Sequence, residues 1–499
     1  MSRPRLSLMA VVTVVAAVVG VATAVPAPEP EAAKVPKPVR APVALTRGVC
    51  PDPGGGAGSQ TRVAMAAPGP VGSGGSSGES SGPIPAGRAE LVDLGGSGSP
   101  HAILARASAT ALAAADPEPP LVATAARGLA PGFAASMVTR VPSGDLRGLL
   151  GTPCLAPGTD FWFVGSGAVV GQRGRVYLTN PETAPAVADV TLYGPDGPID
   201  APAGRGVSVA AGGQEVLLLD ALAPEQERLA VHVQVHQGRL SAALRDQQVA
   251  GLDPRGSDWV QPAAAPARRV VVPGVPGGAG ERRLQVLVPG RSDAIVRVRL
   301  LGVDGSFAPA GLDVVESTAG AVGDVDLAPQ IKGEEVALEL SSDVPITAGL
   351  LARVGGTDGR LVELGYGATA LPLTAAAPGV VPDVRRGATT RSLLTMAAPG
   401  KEATVEVAPM APATGTPVTV EVPPGRQVSL DLSEVSEDAA FAVTVVPTPG
   451  SGPVVVSRAI TEAESRGPLL TSSPVLPGRF TVPVPAVVAD LSTGLRSRD

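Results

Sequence analysis

Residues 186–192 read AVADVTL, residues 294–300 read AIVRVRL and residues 403–407 read ATVEV, one alternating pattern recurring at offsets of 108 and 109. Alternation of apolar and polar side chains is the mark of a half-buried β-strand, because successive residues point to opposite faces. Each copy follows a turn containing Pro181, Pro289 or Pro399. The first two copies run into Asp196-Gly197 or Asp304-Gly305, a hairpin-type pair. Downstream, Leu219-Asp220, Val325-Asp326 and Leu430-Asp431 recur at offsets of 106 and 105, so the period is one domain long.

Within the first copy seven short strands are expected, over residues 161–164, 175–179, 187–193, 206–210, 215–219, 229–235 and 239–245. Seven alternating strands in about 100 residues, separated by Gly, Pro and Asp, predict an immunoglobulin-like sandwich. The fold class is therefore all-β: tandem immunoglobulin-like β-sandwiches over residues 158–264, 265–375 and 376–486. Residues 49–157 read as a diverged N-terminal β domain. Gly144-Asp145-Leu146-Arg147 leads to Gly158-Thr159-Asp160-Phe161-Trp162 much as Gly238-Arg239-Leu240-Ser241 leads to Gly256-Ser257-Asp258-Trp259, each reading as a last strand running into the next domain. The Ala-rich stretch 101–115 suits either helix or strand.

At the N-terminus, Arg3 and Arg5 precede an uncharged stretch, residues 6–25, that ends in Ala22-Thr23-Ala24. This is the layout of an export signal, cleaved after Ala24 or retained as an anchor helix, with everything beyond Val25 outside the cytoplasm. Residues 1–25 are thus the signal or anchor and the only contact with the membrane, and residues 26–48 a Pro-rich stalk. Residues 69–85 form a Gly/Ser loop and residues 487–499 a polar tail. In an oxidising compartment the two cysteines, Cys50 and Cys154, predict a disulfide tying the ends of the N-terminal domain; two buried thiols are the alternative.

With 62 Gly, 53 Pro and 11 aromatics (2 Trp, 3 Tyr, 6 Phe), the chain is no coiled coil, bundle or collagen. A net charge of −7 with so few stacking rings excludes nucleic acid as partner. Catalytic, cofactor and metal residues are expected to be none. The Gly-x-Ser-x-Gly matches around Ser76 and Ser80 lie in low-complexity loop, where no strand-to-helix elbow forms. His232 and His236 share a strand face roughly 13 Å apart, too far for one metal. Asp220, Asp326 and Asp431 read as loop caps. Asp324 with Asp326, and Glu334 with Glu335, read as solvated carboxylates rather than a glycosidase pair. The aromatics Phe161, Trp162, Phe163 and Trp259 read as a hinge plug between sandwiches, with a sugar or peptide platform as the alternative.

Residues 151–163 (GTPCLAPGTDFWF) and 176–197 (VYLTNPETAPAVADVTLYGPDG) resemble an uncharacterised family of exported actinobacterial proteins, over a span from about Cys50 to the end. The resemblance implies no catalytic residue, since the family's function is unknown, and a surface-polymer context, since its genes sit beside envelope glycosyltransferases. The expected function is a non-catalytic, extracytoplasmic string of sandwiches, secreted or anchored by its N-terminal helix. It acts as a structural or interaction protein of the cell envelope, whose partner is an unidentified protein or surface polymer. The alternative is envelope-polymer (polysaccharide) binding or assembly in an interdomain cleft near Trp162 and Trp259, and a hydrolase is a distant third.

Overall fold

Ala294–Leu301 shows in miniature how this chain folds: Ala294, Val296, Val298 and Leu300 are buried, while Ile295, Arg297 and Arg299 are exposed. A computed structural model describes residues 39–485 except 55–57, 69–85, 97, 115–119 and 356–361. The expected signal or anchor, the start of the spacer, the Gly/Ser loop and the polar tail lie outside the described residues. The three recurring strands, Ala186–Gly194, Ala294–Leu301 and Ala403–Pro409, take equivalent places, each antiparallel to the fifth main strand of its own sandwich. Their turns close from Gly194 to Gly197 and from Gly302 to Gly305, so Pro195-Asp196 and Val303-Asp304 form the tips.

The described chain is almost entirely strand, and its sheets pair off four times in one strand order. In the first sandwich one sheet runs Leu45–Cys50, Leu121–Ala126, Arg88–Asp93, Ala102–Leu104, and the facing sheet runs Ser108–Ala114, Gln60–Ala67, Ala134–Val141, Gly148–Pro153. Numbered in chain order with the short edge strands after the third left out, each sandwich has seven main strands, and Gly148–Pro153 is the seventh. The last sandwich repeats this as Gly379–Arg385, Ala440–Pro447, Ala403–Pro409, Val418–Val422 facing Arg426–Asp431, Thr390–Ala398, Val455–Glu462, Leu469–Pro474. The second and third sandwiches keep the order, except that in the third the fifth and sixth strands are one continuous strand, Val336–Gly355, crossing from one sheet to the other. Each sandwich has its own apolar core of Val, Leu and Ala between its sheets.

Several expectations change. The stretch 101–115 holds two strands where described, Ala102–Leu104 and Ser108–Ala114, and in the second, an edge strand, Ala109 and Ala111 pair with Ala66 and Ala64. Leu45–Cys50, mostly inside the expected stalk, is the first strand of the first sandwich, and Val39–Pro42 pairs with Thr481–Val484. Asp253–Val260, outside the seven expected segments, is a further strand and the seventh main strand of the second sandwich. The matched leads of residues 144–150 and 238–244 are not equivalent, since Gly148–Pro153 is a seventh strand and Ser241–Ala250 a sixth. The turn at residues 251–252 hides the seventh strand in a segment with too little apolar alternation to register.

The sandwiches do not form a string. The first strand of each packs on the second sheet of the next: Gly165 lies against Tyr366, Gly274 against Ser457 and Thr395, and Val380 against Ala66. The set closes where Tyr177, Ala243 and Trp259 of the second sandwich complete the core of the first. All four seventh strands, Gly148–Pro153, Asp253–Val260, Val362–Ala368 and Leu469–Pro474, meet along the axis of this ring. A glycine stands at each meeting: a Cβ on Gly148 would overlap the Ser257 carbonyl, one on Gly256 the Leu364 backbone, one on Gly151 would lie 2.6 Å from Thr471, and one on Gly365 would lie 3.3 Å from Leu470. Only residues without side chains let four strands approach this closely.

Candidate functional site

The ring axis concentrates the buried ionisable groups. Asp258, on the second sandwich's seventh strand, accepts from Gly151 N (3.0 Å) in the first sandwich and from Thr471 Oγ1 (3.2 Å) in the fourth. It also accepts from its neighbour Trp259 N (2.8 Å) and from the backbone of Tyr366 in the third. One carboxyl thus joins all four sandwiches. Burial pushes it well above the usual carboxylate range, against the opposing pull of its donors. Glu363 is likewise raised by burial, although Arg147 Nη1 donates to it at 3.1 Å and Leu149 N at 3.3 Å. Arg147 also donates to the Gly467 carbonyl (2.8 Å), so this pair links the first, third and fourth sandwiches. Asp246, raised by burial, accepts from Tyr366 Oη (2.6 Å), Ser166 Oγ (2.8 Å) and Gln248 Nε2 (2.9 Å). These groups act as joints: fully buried, they bond to other parts of the chain.

The residues singled out by sequence are dispersed among these joints. Cys50 and Cys154 form a disulfide with Cα atoms 4.3 Å apart, joining the first strand to the exit of the first sandwich. Trp259 is sealed on the border of the first and second sandwiches, edge-on to Tyr177, with the Arg245 guanidinium over both rings. Trp162 lies on the border of the second and third, packed with Tyr193, Leu287 and Val322 and stacked on His232 at 3.7 Å. Phe163 is in the second core. The two indoles serve different borders, so among the described residues Trp162 and Trp259 do not face one common cleft. His232 and His236 each pair with their own aspartate, Asp160 (2.6 Å) and Asp189 (2.9 Å). Asp326 and Asp431 cap the Ala328 and Ser433 amides, both at 3.0 Å. Asp324 is buried against Arg283, not solvated. Asn180 is locked by Ala184, Val209 and Glu182 backbone groups.

Phe161 alone of the four aromatics borders an open space, a cavity of about 680 Å³ where the segments leaving the seventh strands converge. Its walls come from residues 153–161, 263–265, 371 and 473–479, with Phe133, Val380, Val381 and Pro382. Four arginines border it: Arg47, Arg239, Arg458 and Arg479. Arg47 and Arg239 share one carboxylate, Glu182, at 3.0 and 2.9 Å. Arg458 projects from the sixth strand of the fourth sandwich and is 2% exposed. Its Nη1 donates to the Asp383 carbonyl (2.6 Å), and no carboxylate among the described residues is within ion-pair distance. Burial lowers Arg458 to about 10, so it stays cationic at neutral pH. The exposed Arg479 has no side-chain partner among the described residues. Sequence reading missed Arg458, whose only signal is a cation at a buried position of a Val-rich strand.

Residues 105–433 match a family described as Family of unknown function (DUF5719). A solved structure titled "Crystal Structure of Thermotoga maritima 1070" is 19% identical, covering 20% of this chain and 93% of that chain with a TM-score of 0.18. No curated protein matches.

Proposed function

The chain belongs to the DUF5719 family of unknown function, and from that premise we propose that it is a non-catalytic, extracytoplasmic structural or interaction protein of the cell envelope. The observation that carries this reading is the use made of the perturbed ionisable groups. Catalysis needs such groups facing a substrate in a cleft, whereas Asp258, Glu363 and Asp246 bond across sandwich borders. The result is a closed, cross-braced body suited to holding a partner. The disulfide supports an oxidising compartment, and residues 6–25 supply the export signal or anchor.

A second reading, envelope-polymer binding or assembly, draws on the cavity at the junction of the sandwiches, whose rim and wall carry four arginines. A membrane-impermeant crosslinker applied to intact producing cells tests both readings. The expected products are adducts between this chain and envelope protein or polysaccharide. The proposal falls if the chain reacts only after lysis. It also falls if the purified protein hydrolyses envelope polysaccharide and one Asp or Glu substitution abolishes that activity.

A further inference from the structure

We propose that the cavity bordered by Arg458 and Arg479 binds a phosphate-bearing ligand, the phosphate taken by the arginines and its organic body by the apolar wall. The inference rests on reading the protein as a binding module and names the chemistry of what it binds.

Charge is the first argument. Arg47 and Arg239 have one carboxylate, Glu182, between them, and among the described residues Arg458 and Arg479 have none within ion-pair distance. Asp160, the acid on the lining, is already held by Trp162 Nε1 at 3.2 Å and His232 Nε2 at 2.6 Å. The cavity is therefore net positive in a chain whose net charge is −7. An excess of cation at one concave place in an acidic protein attracts anions selectively.

Burial is the second argument. A guanidinium removed from water is costly unless an anion in contact completes it, and the Asp383 and Asp258 carboxylates that favour the Arg458 charge both lie beyond ion-pair distance. Arg458 is held in place by the Asp383 carbonyl while bordering the open cavity. The planar fork of arginine, used here with no lysine on the lining, matches the paired oxygens of a phosphate.

Size and lining are the third. About 680 Å³ suits a group of small-molecule size, whether a free ligand or one phosphate-bearing unit of a longer molecule. Phe133, Phe161, Val380, Val381 and Val475 offer its body an apolar wall. The phosphate could belong to a soluble phosphoester or to a lipid headgroup, and both present the same chemistry to the arginines.

The test uses the purified chain and two probes: equilibrium dialysis against labelled inorganic pyrophosphate, and co-sedimentation with phosphatidylglycerol or phosphatidylcholine vesicles. Saturable pyrophosphate binding is expected, weakened roughly tenfold or more by Arg458→Met and by Arg479→Ala, in keeping with loss of a charge-assisted bond. Arg479 is exposed, so its variant folds even if the buried change does not. Sedimentation with phosphatidylglycerol alone, competed by pyrophosphate, assigns the phosphate to a lipid. Pyrophosphate binding without sedimentation assigns it to a soluble phosphoester. Absence of binding to either probe, or binding unchanged in both variants, overturns the inference. Crosslinking to the envelope would stand regardless, which separates this failure from failure of the broader reading.

Discussion

Substituting Asp258 strikes the point where all four sandwiches are joined. Asp258→Ala removes the acceptor for Gly151 N, Trp259 N, Tyr366 N and Thr471 Oγ1. Strand packing leaves water no room, since Gly148 and Gly151 are already in near contact with Ser257 and Thr471. A net hydrogen bond is worth about 1 kcal/mol and a stranded buried donor costs about 1–3 kcal/mol. Three stranded amides and a hydroxyl, reduced by relief from burying the carboxyl, give a loss of about 3–6 kcal/mol. Asp258→Asn keeps the shape and one acceptor oxygen, and because burial favours the neutral acid it costs only about 1–2 kcal/mol. Urea unfolding read by tryptophan fluorescence is the assay, with Trp259 adjacent in sequence as the reporter. An alanine variant within 1 kcal/mol of the parent, or an asparagine variant as damaged as the alanine one, would refute the reasoning.

Further outcomes follow from the same geometry. Asp258, Glu363 and Asp246 are all raised, so above about pH 4 the unfolded chain releases protons that the folded chain keeps. Their contribution is full below about pH 4 and declines as pH rises toward the raised values, by at most about 1.4 kcal/mol per pH unit per group. Unfolding titrations between pH 5 and 7 should show that fall, shallower in Asp258→Asn; stability rising with pH there contradicts it. Paired Cys50→Ser and Cys154→Ser changes open a loop of 104 residues and should cost about 4–5 kcal/mol in denaturant, less any strain. An unchanged midpoint counts against that figure. Gly148→Ala forces a Cβ into the Ser257 carbonyl, whereas Gly290→Ala meets nothing within 4 Å. The first should lower the melting temperature by several degrees and the second leave it nearly unchanged; equal effects would show that the seventh strands are not closely packed.

Much of this was readable because it is local. Alternation in residues 186–192, 294–300 and 403–407 placed three equivalent strands, and two cysteines in a chain with an export-like N-terminus identified the bridge. The seventh strand Asp253–Val260 escaped because its residues, DPRGSDWV, carry charge and glycine where a strand pattern asks for apolar side chains. Those residues make sense only against other sandwiches: Gly256 lies under Leu364, Asp258 bonds to Gly151 and Thr471, and Trp259 enters the neighbouring core.

The sequence by itself determined strand, turn and repeat, since side-chain alternation and turn chemistry act over a few residues. It also determined that nucleophiles, lysines and aromatics would be scarce. Tertiary structure alone decided that the repeats close into a ring, that Trp162 and Trp259 serve separate borders, and that Arg47, Arg239, Arg458 and Arg479 surround one cavity. Those outcomes depend on contacts between residues separated by hundreds of positions, such as Arg62 with Asp383 and Arg140 with Glu462. No local pattern encodes such pairs, because each charge taken alone looks like an ordinary solvated surface residue until the opposite sandwich removes its water.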